Sequence, residues 1–329
     1  MYIRTLLGDI RPDELGFTNG HEHIVCVPPH WVENEVDDLL LDDPEKSKLD
    51  VLEFKATGGN SIIDATAIDY GRRVEEVAQI SKDTGINIIG TAGFNKSFLW
   101  DAKIPNHLKK IVGDYETFYE WIEKSSFDKL FEIVSKEISE GLEGTPYKAG
   151  QVKFGTGYNS ISPLEIKTCE VAVAVQKKFG IPLHSHTEAG TMALEQIELV
   201  EKFGGNLNKW SVGHMDRNLD FYYHEKIASH GLYLSFDGLG KTKYGPESAR
   251  IDAIINLIKK GYTKQILFGG DNARKSYYHN YSYGLGLGWI QAKWLPRFKE
   301  ELERQNLESD EIIHTIFYEN PKRYLTVGM

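Results

Sequence analysis

Eight short apolar runs constrain this chain more than any other feature. They fall at about 16–25, 61–65, 86–93, 151–155, 181–186, 210–214, 232–236 and 265–269. Segments of helical spacing lie between them, at 72–84, 162–179, 189–204, 220–230 and 246–260. A longer insertion after the third run carries helical patterns at 114–123 and 127–140. Val74, Val77, Ala78 and Ile80 recur at helical spacing, and Gly85 ends that helix. Ser162-Pro163 opens the next one with proline at a favoured first-turn position. Strand and helix alternating over roughly 260 residues is the rhythm of one (β/α)8 TIM barrel. An open doubly wound sheet is the alternative, because periodicity alone does not close a barrel. No Gly-x-Gly-x-x-Gly follows the first strand, and no linker or low-complexity stretch divides residues 1–329, so one domain is expected. Residues 1–15 read as an extended lead-in turning at Gly8-Asp9, residues 27–50 as a polar loop or small helix. The stretch from about 285 reads as helical with a break near Leu307-Glu308.

The balance of charge narrows the partners. Thirty-eight Lys and Arg stand against 48 Asp and Glu, a net charge of −10. No dense basic run is present, which argues against nucleic acid. The two cysteines, Cys26 and Cys169, cannot build a disulfide framework and suit a reducing compartment. The opening residues lack a signal-peptide pattern, and no apolar stretch approaches the roughly 18 residues of a membrane span. The expectation is a cytoplasmic protein with a small-molecule substrate and no membrane partner.

Set on this frame, the polar residues form a pattern. His21 and His23 alternate in phase on the first strand and point the same way. Lys153 lies in the fourth strand, His186 ends the fifth, His214 the sixth and Asp271 the eighth. Barrel strand ends share one face, where active sites sit. Imidazoles and a carboxylate converging there suit a divalent metal. Each residue also has a plainer reading: His214 as a core histidine bonded to Asp216, Asp271 as a helix N-cap, Lys153 as a side chain reaching out to solvent. His184 and His186 share a face, so the spacing alone does not choose between them. It is the joint order along five strands that favours a metal site.

The segments Gly20-His21-Glu22-His23, Val152-Lys153, Ser185-His186-Thr187, Val212-Gly213-His214-Met215-Asp216 and Gly270-Asp271 resemble those of the phosphotriesterase family of the amidohydrolase superfamily. They span nearly the whole chain. The resemblance implies a binuclear centre, usually of zinc, with manganese or another divalent ion as substitute. His21, His23 and Asp271 would hold the more buried ion, and His186 and His214 the more exposed one. The family's ligand histidine on strand five stands just before Thr, which selects His186 and leaves His184 as a neighbour. Lys153 would be carboxylated on its amine (N6-carboxylysine) and bridge the ions. A bridging hydroxide would be the nucleophile, Asp271 would be the catalytic proton acceptor, and Asp216 would support the ligands. Family members are commonly homodimers.

The family includes lactonases, phosphotriesterases and other ester hydrolases, and the loops after the strands decide among them. Members acting on acyl-homoserine lactones carry a Tyr at the end of strand three. This chain reads Gly93-Phe94-Asn95 there, without that hydroxyl. Basic and aromatic residues follow strands six to eight: Arg217, Lys241, Lys243, Arg274, Lys275 and Tyr278. Barrel phosphate sites often use the loops after strands seven and eight. The expected activity is therefore a lactonase acting on a small lactone, such as a phosphorylated sugar lactone. The plainer reading of the lysines is solvated surface charge. A phosphotriesterase or aryl-ester hydrolase is the enzymatic alternative, and a metal-loaded barrel that only binds is the non-catalytic one.

Overall fold

A computed structural model describes residues 1–328. Eight parallel strands form one sheet in chain order: β3 (Thr18–Glu22), β4 (Ser61–Asp64), β5 (Asn87–Gly93), β6 (Ala149–Thr156), β7 (Leu183–Thr187), β8 (Trp210–Val212), β9 (Tyr233–Phe236) and β10 (Ile266–Phe268). A hairpin of β1 (Ile3–Thr5) and β2 (Gly8–Ile10) precedes them. Each strand registers with its sequence neighbour, with helices around the outside, and the sheet curls into a nearly closed TIM barrel.

The first and last strands meet without a ladder. The Asp271 N–H donates to the His21 carbonyl at 2.8 Å. Glu22 reinforces the seam by accepting from the Gly270 and Asn272 N–H groups at 2.9 and 2.8 Å. Two glycines allow the approach: a Cβ on Gly20 would lie 2.8 Å from the Phe268 carbonyl oxygen, and one on Gly269 would lie 2.8 Å from the His21 backbone.

Inward side chains stack in layers. Ile63, Ile89, Tyr233 and Leu267 fill the lower barrel with Ile3, Leu15, Tyr324 and Leu325 from the chain ends. Above them, Gln151 donates to Thr91 at 2.8 Å and accepts from the Tyr324 hydroxyl at 2.8 Å. The site residues form the next layer. Outward residues such as Val152, Phe154 and Val212 pack on the helices, so the strands read as continuous apolar runs.

Several local expectations are corrected. The hairpin turns at Leu6-Leu7 rather than Gly8-Asp9, because the Leu6 N–H is tied to the Ile88 carbonyl at 2.8 Å and its side chain is buried. The region read as a loop or small helix contains two helices, at Pro29–Glu33 and Pro44–Ala56. Asp43 caps the second by accepting from Glu45 and Lys46, with proline at the first position. The insertion gains a helix at Asn106–Val112. His23, His214 and Asp271 stand just past the strands expected to hold them, and His214 and Asp271 adopt positive φ of 64° and 43°. Among the described residues, no helix is long and apolar enough to cross a membrane.

Replacing Gly269 with Ala should strain the seam, since the new methyl would lie 2.8 Å from both the N and the O of His21. Overpacking of this kind costs about 1–3 kcal/mol, readable as a lowered urea midpoint at unchanged slope.

Candidate metal centre

The upper ends of the strands enclose a cavity of about 270 Å³, lined by His21, His23, Lys153, His186, His214 and Asp271 among others. The six residues selected from the sequence therefore share one space. Ligand atoms of His21, His23 and Asp271 lie within 4.8 Å of one another. Asp271 Oδ1 stands 3.6 Å from His21 Nε2 and 3.5 Å from His23 Nε2.

Neighbours set which nitrogen of each ring is free. Thr66 Oγ1 donates to Asp64, so it accepts from His23 Nδ1 at 2.8 Å and leaves Nε2 turned to the centre. His214 Nδ1 donates to Asp237 Oδ1 at 2.7 Å, and the His214 N–H donates to Asp237 Oδ2 at 3.0 Å. The same Oδ2 lies 2.9 Å from His21 Nδ1. One carboxylate thus faces Nδ1 of both rings and favours the tautomers with free Nε2 atoms. His186 Nε2 donates to Glu188 at 3.0 Å, and Lys96 also donates to that carboxylate. This leaves His186 Nδ1 facing His214 Nε2 at 2.8 Å.

These facts fit a divalent cation. His21 Nε2 is buried with no hydrogen-bond partner. The tautomers place two imidazole lone pairs against each other at His186 and His214, an arrangement a cation relieves. Burial pushes His23, His186 and His214 below their ordinary values, His214 to about 4, so the rings are neutral donors at neutral pH. Burial would raise Asp271, but Lys241, His214 and Arg217 outweigh it and hold the carboxylate well below its usual range. Burial also pushes Lys153 down to about 8, against the nearby carboxylates of Asp271, Asp69, Asp237 and Asp64. Lys153 Nζ donates to the Ala65 carbonyl at 2.9 Å. A nitrogen and oxygen donor set of this kind suits zinc or manganese.

Other expectations change. Asp216 does not support His214. It accepts from Arg250 Nε at 2.7 Å and from the Gly238 N–H at 2.9 Å, both fully buried side chains being tied to the loop after β9. Asp237 takes the supporting place because it directly follows β9, at the height of the histidines. His184 does point inward, but one layer lower, with Nδ1 on Ser211 at 2.7 Å. Asp271 caps no α-helix; the chain after it is irregular to Lys275.

The proposed substrate residues separate into two groups. Arg217, Lys241 and Arg274 line the cavity. Arg217 and Lys241 donate to Asp271 Oδ2 at 2.6 and 3.0 Å, and Arg274 donates to Asp38 at 3.2 Å. Lys243 is exposed at the rim, over the rings of Tyr244 and Tyr277, both of which line the cavity. Lys275 and Tyr278 do not line it. Lys275 is drawn outward to Asp37 and Asp42, and Tyr278 is fully buried with its hydroxyl donating to the His23 carbonyl. Besides Asp237, sequence reasoning missed Glu188 and Lys96. Their position just past the ends of β7 and β5 was the available signal.

A family model for the phosphotriesterase family matches residues 1–325. A phospho-furanose lactonase of Mycoplasmopsis synoviae is 33% identical, over 98% of this chain and 91% of its own. An aryldialkylphosphatase of Saccharolobus solfataricus is 26% identical, over 96% and 97%. A solved lactonase from Listeria monocytogenes has a TM-score of 0.99 and 57% identity, covering both chains completely.

Asp237→Asn should weaken metal binding by about 10- to 100-fold, as loss of an orienting carboxylate does. Competition titration against a chelator measures this, with circular dichroism checking that the fold is retained.

Proposed function

This chain belongs to the phosphotriesterase family and is an ester hydrolase, and from that premise we propose that it is a binuclear metal-dependent lactonase for a small sugar lactone carrying a phosphate. The observation that carries this reading is a histidine and carboxylate donor set sharing one cavity with Arg217, Lys241 and Arg274. The phospho-furanose lactonase among the relatives supports the same substrate class.

His21, His23 and Asp271 would hold one ion, His186 and His214 the second, with Lys153 between them as a carbamate. An ammonium there would repel two cations, whereas a carbamate offers anionic oxygens, and the low affinity of buried Lys153 for its proton favours the neutral amine that reacts with carbon dioxide. When bound, the ions supply water activation and charge stabilisation on the carbonyl oxygen.

The chain's own residues do the rest. Arg217 and Lys241 hold Asp271 Oδ2, which turns Oδ1 toward His21 and His23. Asp271 takes the proton of the attacking water and returns it to the ring oxygen. A carbon–oxygen bond forms at the carbonyl, the ring ester bond breaks, and a hydroxy acid results. Arg274 and Lys243 receive the phosphate at the mouth. Asp38 holds Arg274 there and is displaced or shared when the phosphate binds. Guanidinium and ammonium groups suit phosphate oxygens.

Zinc- or manganese-loaded protein should hydrolyse phosphorylated sugar lactones in preference to their unphosphorylated forms. Arg274→Met and Lys243→Met should each raise KM roughly tenfold or more for the phosphorylated lactone, as loss of a charged hydrogen bond does, and leave the neutral lactone nearly unchanged. Equal effects on both would remove the phosphate site. Turnover of a neutral phosphotriester alone would instead favour the activity of the aryldialkylphosphatase relative. Stripping the protein with a chelator should abolish lactone hydrolysis, and adding zinc or manganese back should restore it.

A further inference from the structure

The loop after β4 puts a phenol without a hydrogen-bond acceptor on the cavity wall. Tyr70 lines the cavity, and its ring packs 4.9 Å from the His23 ring at a tilt of 43°. It is 8% exposed, and its hydroxyl donates no hydrogen bond among the described residues. The buried Trp31 indole N–H beside it can only donate, so the phenol's own proton finds no acceptor there. Burial, then Cys26 and Asp271, push the phenol above its ordinary value, and it stays protonated.

The backbone on both sides of Tyr70 is bolted down. The Asn95 N–H lies 3.0 and 2.8 Å from the two Asp69 carboxylate oxygens, and Trp100 Nε1 donates to the same group at 2.6 Å. The Gly71 carbonyl accepts from the Val27 N–H at 2.8 Å. The Arg72 guanidinium is buried, donating to the Thr91 carbonyl at 2.7 Å and to Glu143 at 2.9 Å. The phenol is therefore held against His23 by neighbours that leave its polar end unmet, as a preorganised donor requires. The reaction places an acceptor near it. Asp271 Oδ1 stands 3.5 Å from His23 Nε2. A ring oxygen that takes its proton from Asp271 therefore lies beside the same histidine that Tyr70 packs against. His186 and His214, from β7 and β8, lie further along the sheet order from β4.

We infer that the Tyr70 hydroxyl donates a hydrogen bond to the ring oxygen of the lactone as it leaves, and is a catalytic residue of the ring-opening step. The assignment rests on the lactonase reading. When the acyl carbon–oxygen bond breaks, its electron pair goes to the ring oxygen, Asp271 delivers the proton, and Tyr70 keeps its own. The test compares metal-loaded wild type and Tyr70→Phe on a five-membered sugar lactone phosphate and on its thiolactone counterpart, whose ring sulfur is a weak acceptor. Tyr70→Phe should lower kcat and kcat/KM on the lactone together, by roughly tenfold, as loss of a hydrogen bond made in the transition state does. The lactone-to-thiolactone ratio of kcat should fall with them, while bound metal per chain stays at the wild-type level. An unchanged kcat on the lactone, equal losses on lactone and thiolactone, or a loss that tracks lost metal would overturn the role of Tyr70 and leave the lactonase reading standing. If Tyr70→Phe does not fold, Tyr70→Met, which also lacks the hydroxyl, carries the test. Where wild type leaves the thiolactone intact, the lactone kcat and the metal content decide. Wild type that opens no lactone would overturn the lactonase reading and this assignment with it.

Discussion

The seam between β3 and β10 is the constraint on which the site depends. His21 and His23 come from one end of the chain and Asp271 from the other, and they meet only because the barrel closes there. That closure relies on close backbone approach. Gly20 and Gly269 have no side chain to hold the strands apart, and the Asp271 N–H reaches the His21 carbonyl. Glu22, between the two histidines in sequence, faces the seam and binds the backbone of the opposing loop. The Gly-His-Glu-His segment therefore does two jobs: two residues face the cavity, and the one between them joins the barrel.

A second layer of groups decides how the ligands present themselves. Asp237 faces two histidines, the Asp64–Thr66 pair fixes a third, and Glu188 fixes the fourth. All these contacts fall on the ring nitrogens turned away from the centre. Burial keeps the His23, His186 and His214 rings neutral, so their inner nitrogens carry lone pairs. The buried Arg250–Asp216 pair acts one step further out, where Asp216 holds the Gly238 N–H and so steadies the start of the loop that carries Lys241.

The cavity is cationic within an acidic protein. Much of that positive charge is already balanced: Arg217 and Lys241 by Asp271, Arg274 by Asp38, Lys96 by Glu188. Such pairing keeps the cations positioned without leaving charges unpaired in a partly buried space. It also means that basic residues near a site are not equivalent. Lys275, next in sequence to Arg274, is turned outward to Asp37 and Asp42.

The sequence by itself determined the alternation of strands and helices, the barrel class, and the set of His21, His23, Lys153, His186, His214 and Asp271 that meets at one face. These were legible because strand alternation and strand order are local, periodic properties, and because residues at strand ends share a face once a barrel is granted. The family resemblance separated His186 from His184, and the structure gives the reason: two residues along a strand is one layer of depth. Tertiary structure alone decided that the barrel closes, that Asp237 rather than Asp216 supports the histidines, that Tyr278 is buried beneath the site, and that Asn95 lines the cavity. Each of these depends on contacts between segments far apart in the chain, where a side chain's direction is set by packing and by the nearest opposite charge. Neither periodicity nor composition carries that information.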